Sequence, residues 1–250
     1  MSVPLSFYGK AALALSALGV AAWQDVERRM VDDAVWAFSI PAAFFISACE
    51  VGFGAVDPPM LILSPALAFG LGLLLHHFGL YGGADVKALL LIASAYPSYP
   101  PGMSIPLWSL FPSPFLAAAA VAALFSAVYP VSIFISNLTL MVRGEDPLRG
   151  VDIEDPFRRL LLLMTARRIP LEELRGSLKH FPAEKLSFDC GVPERKPLLF
   201  VHAEAEVDGM VEEMMRHRDL YKDGVLASPT VPMVALLEAA SIMLSAIILL

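Results

Sequence analysis

Cysteine is nearly absent from this chain. The two present, Cys49 and Cys190, lie far apart in sequence. No CxxC pair and no Cys/His cluster with zinc spacing occurs, so neither a disulfide scaffold nor a metal site is supported. Charge is scarce as well, at 17% of residues, and its balance is acidic, with a formal net charge of −7. That balance argues against nucleic acid as a partner and leaves room for a basic peptide. No basic run precedes the first apolar stretch, Leu5–Trp23, which holds only Lys10 within it. Ala21-Ala22-Trp23 mimics a cleavage site, but Asp25 follows at once and more apolar spans come after. The stretch therefore reads as a retained helix and not as a signal peptide. The chain shows no internal repeat and no low-complexity tract.

What is abundant is apolar. Hydrophobic residues make up 57% of the chain and the mean hydropathy is +0.64. Both values lie above soluble-domain usage and predict a polytopic α-helical membrane protein. Six transmembrane helices are expected, at about Leu5–Trp23, Ala34–Val56, Met60–Phe78, Val86–Tyr96, Phe115–Val142 and Val231–Leu250. The fourth is short and is ended by Pro97, Pro100 and Pro101. Residues 102–114 read as an interfacial loop with Trp108 at headgroup level. His76-His77, at the end of the third span, read as interfacial polar residues, because nothing nearby suggests a ligand set.

The expected domains are a membrane part at 1–142, a soluble module at 143–228, and a last membrane helix at 229–250. The module holds most of the charge. Arg158-Arg159 and Arg167-Arg168 bracket the apolar run Leu160–Met164. A short helix is expected at Pro170–His180, a short strand at Pro197–Val201, and a helix or strand at Gly209–Tyr221, which makes the module α+β. Placing the first loop, the Gly-turn loop and the module on one side gathers every basic residue there except Lys10. The positive-inside rule makes that side cytoplasmic, with both termini outside the cell membrane.

Two acids then stand out by depth. Asp25 directly follows the first span. Asp85 is carried by Gly82-Gly83-Ala84-Asp85-Val86-Lys87, a small-residue turn that runs into the apolar stretch from Ala88. Both fall at the same membrane face, and an ionisable group at a membrane helix end is a functional-site hypothesis. Small residues allow positive φ and close helix packing, which would bring Asp85 against a neighbouring helix. The bland alternatives are an interfacial turn with an acidic helix cap for Asp85 and a charged loop for Asp25. Asp32 and Asp33 precede the second span and suit capping; with Lys87, they are also candidate substrate contacts. Pro229 and Pro232 either leave backbone groups free near the last helix, where an extended peptide can pair, or simply mark a helix start.

These residues carry a resemblance. Asp25 before a short basic loop, then Gly82-Gly83-Ala84-Asp85-Val86-Lys87, then Ala227-Ser228-Pro229-Thr230-Val231-Pro232 at the last span, resemble the GxGD-type aspartyl membrane proteases that process type IV prepilins. The archaeal preflagellin (pre-archaellin) peptidases are the most similar branch. The resemblance implies that Asp25 and Asp85 are catalytic and that Gly82, Gly83 and Ala84 form the motif turn. It also implies an aspartic endopeptidase that needs no cofactor. Its partner would be the basic leader of a class III (prepilin-like) signal peptide on an archaellin or pilin precursor, met at the lipid bilayer. Ala84 stands where bacterial relatives have Gly, and the CxxC pairs that accompany N-methylation in such relatives are absent. Two other readings stand beside this one. Pro65-Ala66-Leu67 spells a tripeptide of presenilin-like intramembrane proteases, but it precedes Asp85 where that family has it after. A transporter would use Asp25 and Asp85 as a proton or cation relay, yet no inverted repeat is visible.

Overall fold

The computed structural model describes residues 5–78, 80–99, 111–153, 155–177, 179–189, 192–198 and 207–249. The expected interfacial loop with Trp108, and most of the strand expected at 197–201, lie outside the described residues. Two compact units emerge: Met1–Ser126 with Pro232–Leu250, and Ala127–Val231.

The first unit is all-helical. In chain order it contains α1 (Leu5–Arg28), α2 (Asp33–Val51), α3 (Pro58–His77), α4 (Gly83–Ala95), α5 (Pro114–Ser126) and, from the end of the chain, α10 (Met233–Leu249). Helix α4 is the axis of the unit. It is apolar nearly all round, and a helix of that pattern has no face to give to a polar surface. Asp85, Val86, Ala88, Leu89 and Leu91–Ala95 are all buried, and α1, α2, α3, α5 and α10 each pack on it. Small residues let the neighbours come close, and hydroxyls link the helices. Ser47 Oγ donates to the Ser94 carbonyl at 2.8 Å, and Ser64 and Ser113 share a hydrogen bond of 2.9 Å.

The exterior of this unit is apolar too. Phe38, Phe45, Ile62, Phe69 and Leu74 are exposed, and an exterior of that kind fits hydrocarbon and not water. Asp33–Val51, Pro58–His77 and the nearly continuous helical stretch Pro114–Val142 are long and apolar enough to cross a membrane. The other three expected spans differ in kind. Helix α1 is long but ends in charge, α10 is apolar but shorter, and α4 has 13 residues. Thirteen residues rise about 20 Å, less than the roughly 30 Å hydrocarbon core. Ala66 and Leu67 of the tripeptide at 65–67 point outward from the unit.

The second unit begins with α6 (Val128–Val142) and continues through α7 (Pro156–Thr165), β1 (Arg167–Ile169), α8 (Leu171–Leu174), β2 (His180–Pro182), β3 (Glu184–Asp189) and β4 (Val192–Pro197). It closes with α9 (Val207–Arg216), a 3₁₀ turn at Arg218–Tyr221, and β5 (Val225–Pro229). The apolar run expected as one span at Phe115–Val142 is thus broken at Ala127. Its second half joins this unit because Asn137 is buried there, donating to the carbonyls of Leu163 and Ala166, each at 2.8 Å. Strand β5 lies between β1 and β2 in an antiparallel sheet, with Ile169 opposite Val225 and His180 opposite Pro229. A β3–β4 hairpin stands beside it. The helix expected over 170–180 shrinks to Leu171–Leu174, because the chain turns at Gly176 with φ +70 and enters β2. The segment expected as a helix or strand at 209–221 is helix to Arg216 and a 3₁₀ turn from Arg218, with His217 between them in a turn. A fully buried carboxylate, Glu184, binds the Arg195 guanidinium through both oxygens at 2.7 and 2.8 Å and also accepts the Leu226 N–H. Each buried charge is thereby paired and hydrogen-bonded.

Candidate active site

Asp85 is set by the start of α4. Gly82 is the N-cap, and Asp85 occupies the third helical position, from which a carboxylate reaches back to the N-cap amide. Gly82 N–H donates to Asp85 Oδ2 at 2.7 Å. Among the described residues no hydrogen bond engages Oδ1, and the residue is only 8% exposed. The positive φ that small residues allow is not used in this turn. Gly82 is extended, at φ −79 and ψ 166, and Gly83 already belongs to the helix, so the chain passes from extended N-cap to helix with no left-handed step. A Cβ on Gly83 would meet nothing within 4 Å, and one on Gly82 would be 3.5 Å from Asp85 Oδ2. Ala84 is half-buried against the core. The close approach lies elsewhere, at Gly72 of α3, where a Cβ would come within 2.8 Å of Val86 Cγ1 and 3.3 Å of Val86 Cα.

Asp25 sits in the last turn of α1. Arg29 N–H donates to its carbonyl at 3.1 Å, and Arg29 then leaves the helix in the left-handed region at φ 56, a common way to stop a helix. The Asp25 side chain reaches α10, where Oδ2 accepts the Val234 N–H at 3.3 Å. First-turn amides have no acceptor in their own helix, so Asp25 caps α10 from a distant part of the sequence. The two aspartates are near enough to act on one another electrostatically. Arg29 exerts a field on Asp25 and His76 on Asp85.

The other expected site residues are placed differently. Asp32 is the N-cap of α2 but caps nothing with its side chain. Its Oδ2 accepts from Gln24 Nε2 at 3.0 Å, and its own N–H donates to Gln24 Oε1 at 2.9 Å. Asp33 is ion-paired with Lys87 of α4. Pro232 lies just before α10, with its carbonyl accepting the Leu236 N–H. Pro229 is the last residue of β5, so the segment 227–229 is strand and does not open the last helix. The reason is tertiary: β5 needs those residues to pair with β1 and β2.

Sequence reasoning passed over four groups. His76, read as an interfacial polar residue, has Nδ1 2.9 Å from the Tyr81 carbonyl. A carbonyl only accepts, so Nδ1 carries the proton and Nε2 is left as the acceptor in the neutral ring. Gln24 is buried beside Asp25. Arg29 faces Asp25, and its position next to the helix stop was a usable signal. Glu238, the one acid in the last apolar span, stands a turn beyond Val234, with Oε1 3.1 Å from where a Gly19 Cβ would be.

Two carboxyl groups near enough to act on one another electrostatically, each with an oxygen held by a backbone N–H, can differ in protonation. One is then the base and the other the acid. A sequence profile of the type IV leader peptidase family matches residues 12–138, a little over half the chain, and the match includes Asp25, Asp85 and the turn before Asp85. Comparison with curated proteins finds no match.

Proposed function

The chain belongs to the type IV leader peptidase family, a family of proteases, and on that premise we propose that it is a membrane aspartic endopeptidase with Asp25 and Asp85 as its catalytic pair. Its substrates are precursors with class III (prepilin-like) signal peptides, of the archaellin or pilin type, cut at the cytoplasmic face. The observation that supports this reading is that Asp25 lies in the last turn of α1 and Asp85 in the first turn of α4, two helices that pack on one another, with Asp85 in the electrostatic field of Asp25 although sixty positions separate them in the chain.

Hydrolysis needs a base for water and an acid for the scissile carbonyl oxygen. One ionised and one protonated aspartate supply both. The water proton passes to the ionised member as its oxygen attacks the carbonyl carbon. The protonated member donates to the carbonyl oxygen, and the leaving amine takes a proton as the C–N bond breaks. Titration belongs to the pair, so neither residue is assigned one role. Backbone N–H donors from Gly82 and Val234 hold one oxygen of each carboxyl group and leave the other to face water or substrate.

In this reading the chain crosses the membrane six times, with residues 143–228 in the cytoplasm. The basic leader stays on the loop side and the apolar segment after the cleavage point enters the bilayer. The test is cleavage of a purified prepilin-type precursor by protein in lipid. Asp25→Asn and Asp85→Asn should each lose at least about 10³-fold in kcat and remain folded, and the double variant should lose little more, since the two act as a unit. An Asp85→Asn variant that still turns over at the wild-type rate refutes the mechanism.

A further inference from the structure

The start of α2 touches both catalytic helices. Asp32 is bound to Gln24, the residue before Asp25, by two reciprocal hydrogen bonds of 2.9 and 3.0 Å. Asp33, its neighbour, is ion-paired with Lys87, two residues beyond Asp85. We infer that Asp32 and Asp33 are positioning residues: the first turn of α2 braces the end of α1 against the start of α4 and so sets the distance between the two catalytic carboxyl groups. The inference rests on the aspartic-protease reading above.

Three features favour a brace over a surface that attracts a basic leader. First, both aspartates already have partners inside the protein. Second, the Gln24–Asp32 clasp uses a backbone N–H as well as side chains, so it fixes the path of the loop from 29 to 32 and not merely a side-chain rotamer. Gln24 is 8% exposed, and a buried amide left without its partners is costly, which holds the clasp shut. Third, the two arms converge from neighbouring residues on one helix end. A shift of α2 would therefore move the ends of α1 and α4 relative to each other.

The arms differ in strength. The Lys87 and Asp33 side chains are 41% and 83% exposed, and an exposed ion pair contributes little. The Gln24–Asp32 arm carries most of the constraint. Catalysis is sensitive to the distance it controls, because misplacement of a catalytic group by about 1 Å can cost on the order of 10²-fold.

The experiment compares Asp32→Ala, Asp32→Asn and Lys87→Met in the full chain in lipid, with kcat, KM and the pH dependence of kcat measured on one precursor. Asn keeps an acceptor for Gln24 Nε2 and leaves the backbone N–H bond intact, but it removes the charge. The brace predicts a fall in kcat of roughly 10- to 100-fold for Asp32→Ala with little change in KM. It predicts near wild-type kcat for Asp32→Asn and a loss of about twofold to fivefold for Lys87→Met. It also predicts a narrower pH–kcat bell for Asp32→Ala, because two carboxyl groups held less closely are less strongly coupled. If Asp32→Ala does not accumulate as folded protein, Gln24→Glu is read in its place. That change sets a second carboxylate against Asp32, and the same fall in kcat is expected. The inference is overturned if Asp32→Asn and Asp32→Ala raise KM alike and salt abolishes the difference, which is the signature of steering a basic substrate. It is equally overturned if Asp32→Ala keeps wild-type kcat and pH profile. Neither result touches the dyad itself, which stands or falls on Asp25→Asn and Asp85→Asn.

Discussion

Gly72→Ala adds one methyl group, and the structure gives the consequence a size. The new Cβ would lie 2.8 Å from Val86 Cγ1 and 3.3 Å from Val86 Cα. Carbon atoms pack at about 3.5–4.0 Å, so α3 and α4 must separate by roughly 1 Å at this level. Val86 offers no easy escape, because a β-branched side chain in a helix has one strongly preferred rotamer and because its Cα is crowded as well. Overpacking of this kind costs about 1–3 kcal/mol, a stability loss that the unit can survive. The functional loss should be larger. Val86 follows Asp85 directly, so the strain moves the carboxyl group proposed to be catalytic, and a displacement of about 1 Å is worth on the order of 10²-fold in rate. The assay is precursor cleavage in lipid beside a melting curve in detergent. Gly72→Ala should lower kcat about 10- to 100-fold and shift the melting temperature only modestly. Val86→Ala in the same chain removes Cγ1 and should recover most of the rate. A Gly72→Ala protein with wild-type kcat, or a double variant no better than the single one, would refute the claim that the α3–α4 contact sets the position of Asp85. Gly83→Ala is the contrast: a Cβ there meets nothing within 4 Å, so the protein fold should accept it.

Two further outcomes follow from buried charges outside the dyad. Lys10 and Glu50 form an ion pair at 4% and 3% exposure; Lys10→Met should destabilise the helical unit by about 3–5 kcal/mol in a detergent melt. Adding Glu50→Leu should recover most of that loss, and a double variant as unstable as the single one would argue that the pair is worth more than its removal. In the second unit, burial and then the Arg167 guanidinium, 2.9 Å away, hold the His180 imidazole below its ordinary pKa of 6.5. The unfolded chain therefore binds this proton more readily, so stability is intact above about pH 6.5 and is lost as pH falls through it. The protection factors of the β5 amides, which pair with β2, should fall between pH 7.5 and 5.5, and His180→Gln should flatten that dependence; an unchanged dependence in the variant would assign it to another group.

The apolar segments were legible, and the two aspartates could be singled out as candidates, because both rest on local signals, namely hydropathy and depth relative to a span. What was not legible is tertiary. No pattern in the sequence pairs Asp32 with Gln24 across a loop, or sends the Asp25 carboxylate to an amide of α10. Lys10 looked like a lone charge at the outer end of α1, and only packing shows it buried against Glu50 with the rings of Phe7 and Tyr96 at 5.9 and 5.8 Å. The break at Ala127 had a signal that hydropathy averages away. The apolar stretch Pro114–Val142 runs 29 residues, more than the ~20 that a span needs. It also carries Asn137, an amide that must find partners wherever it is buried. The Gly turn was legible as a motif and misread as geometry. Its glycines start a helix with φ on the ordinary side, and a glycine that lets α3 approach α4 closely is Gly72, on a different helix.

Helix capping and catalysis are often weighed as rival explanations for an aspartate at a helix end. Here the bland reading of Asp85 holds in the geometry, since it caps its own helix through Gly82, while Asp25, whose bland reading was a charged loop, instead ends α1 and caps α10 through Val234. The two roles do not compete, because a carboxyl group has two oxygens. A backbone N–H on one of them fixes the plane of the group without using the other, and it does so with a donor that only a proline substitution removes. A surface aspartate fixed only by rotamer preference would lose entropy each time it met substrate. An aspartate held by a helix terminus has already lost it on folding. The same argument bears on three helix ends, those of α1, α4 and α10, helices that pack on one another. The end of α1 brings Asp25, the start of α4 brings Asp85 with the amide that holds it, and the start of α10 brings the amide that holds Asp25. Taking the α10 amide away from Asp25 would leave the carboxylate in place but free to turn, and so separates the supply of the group from its orientation.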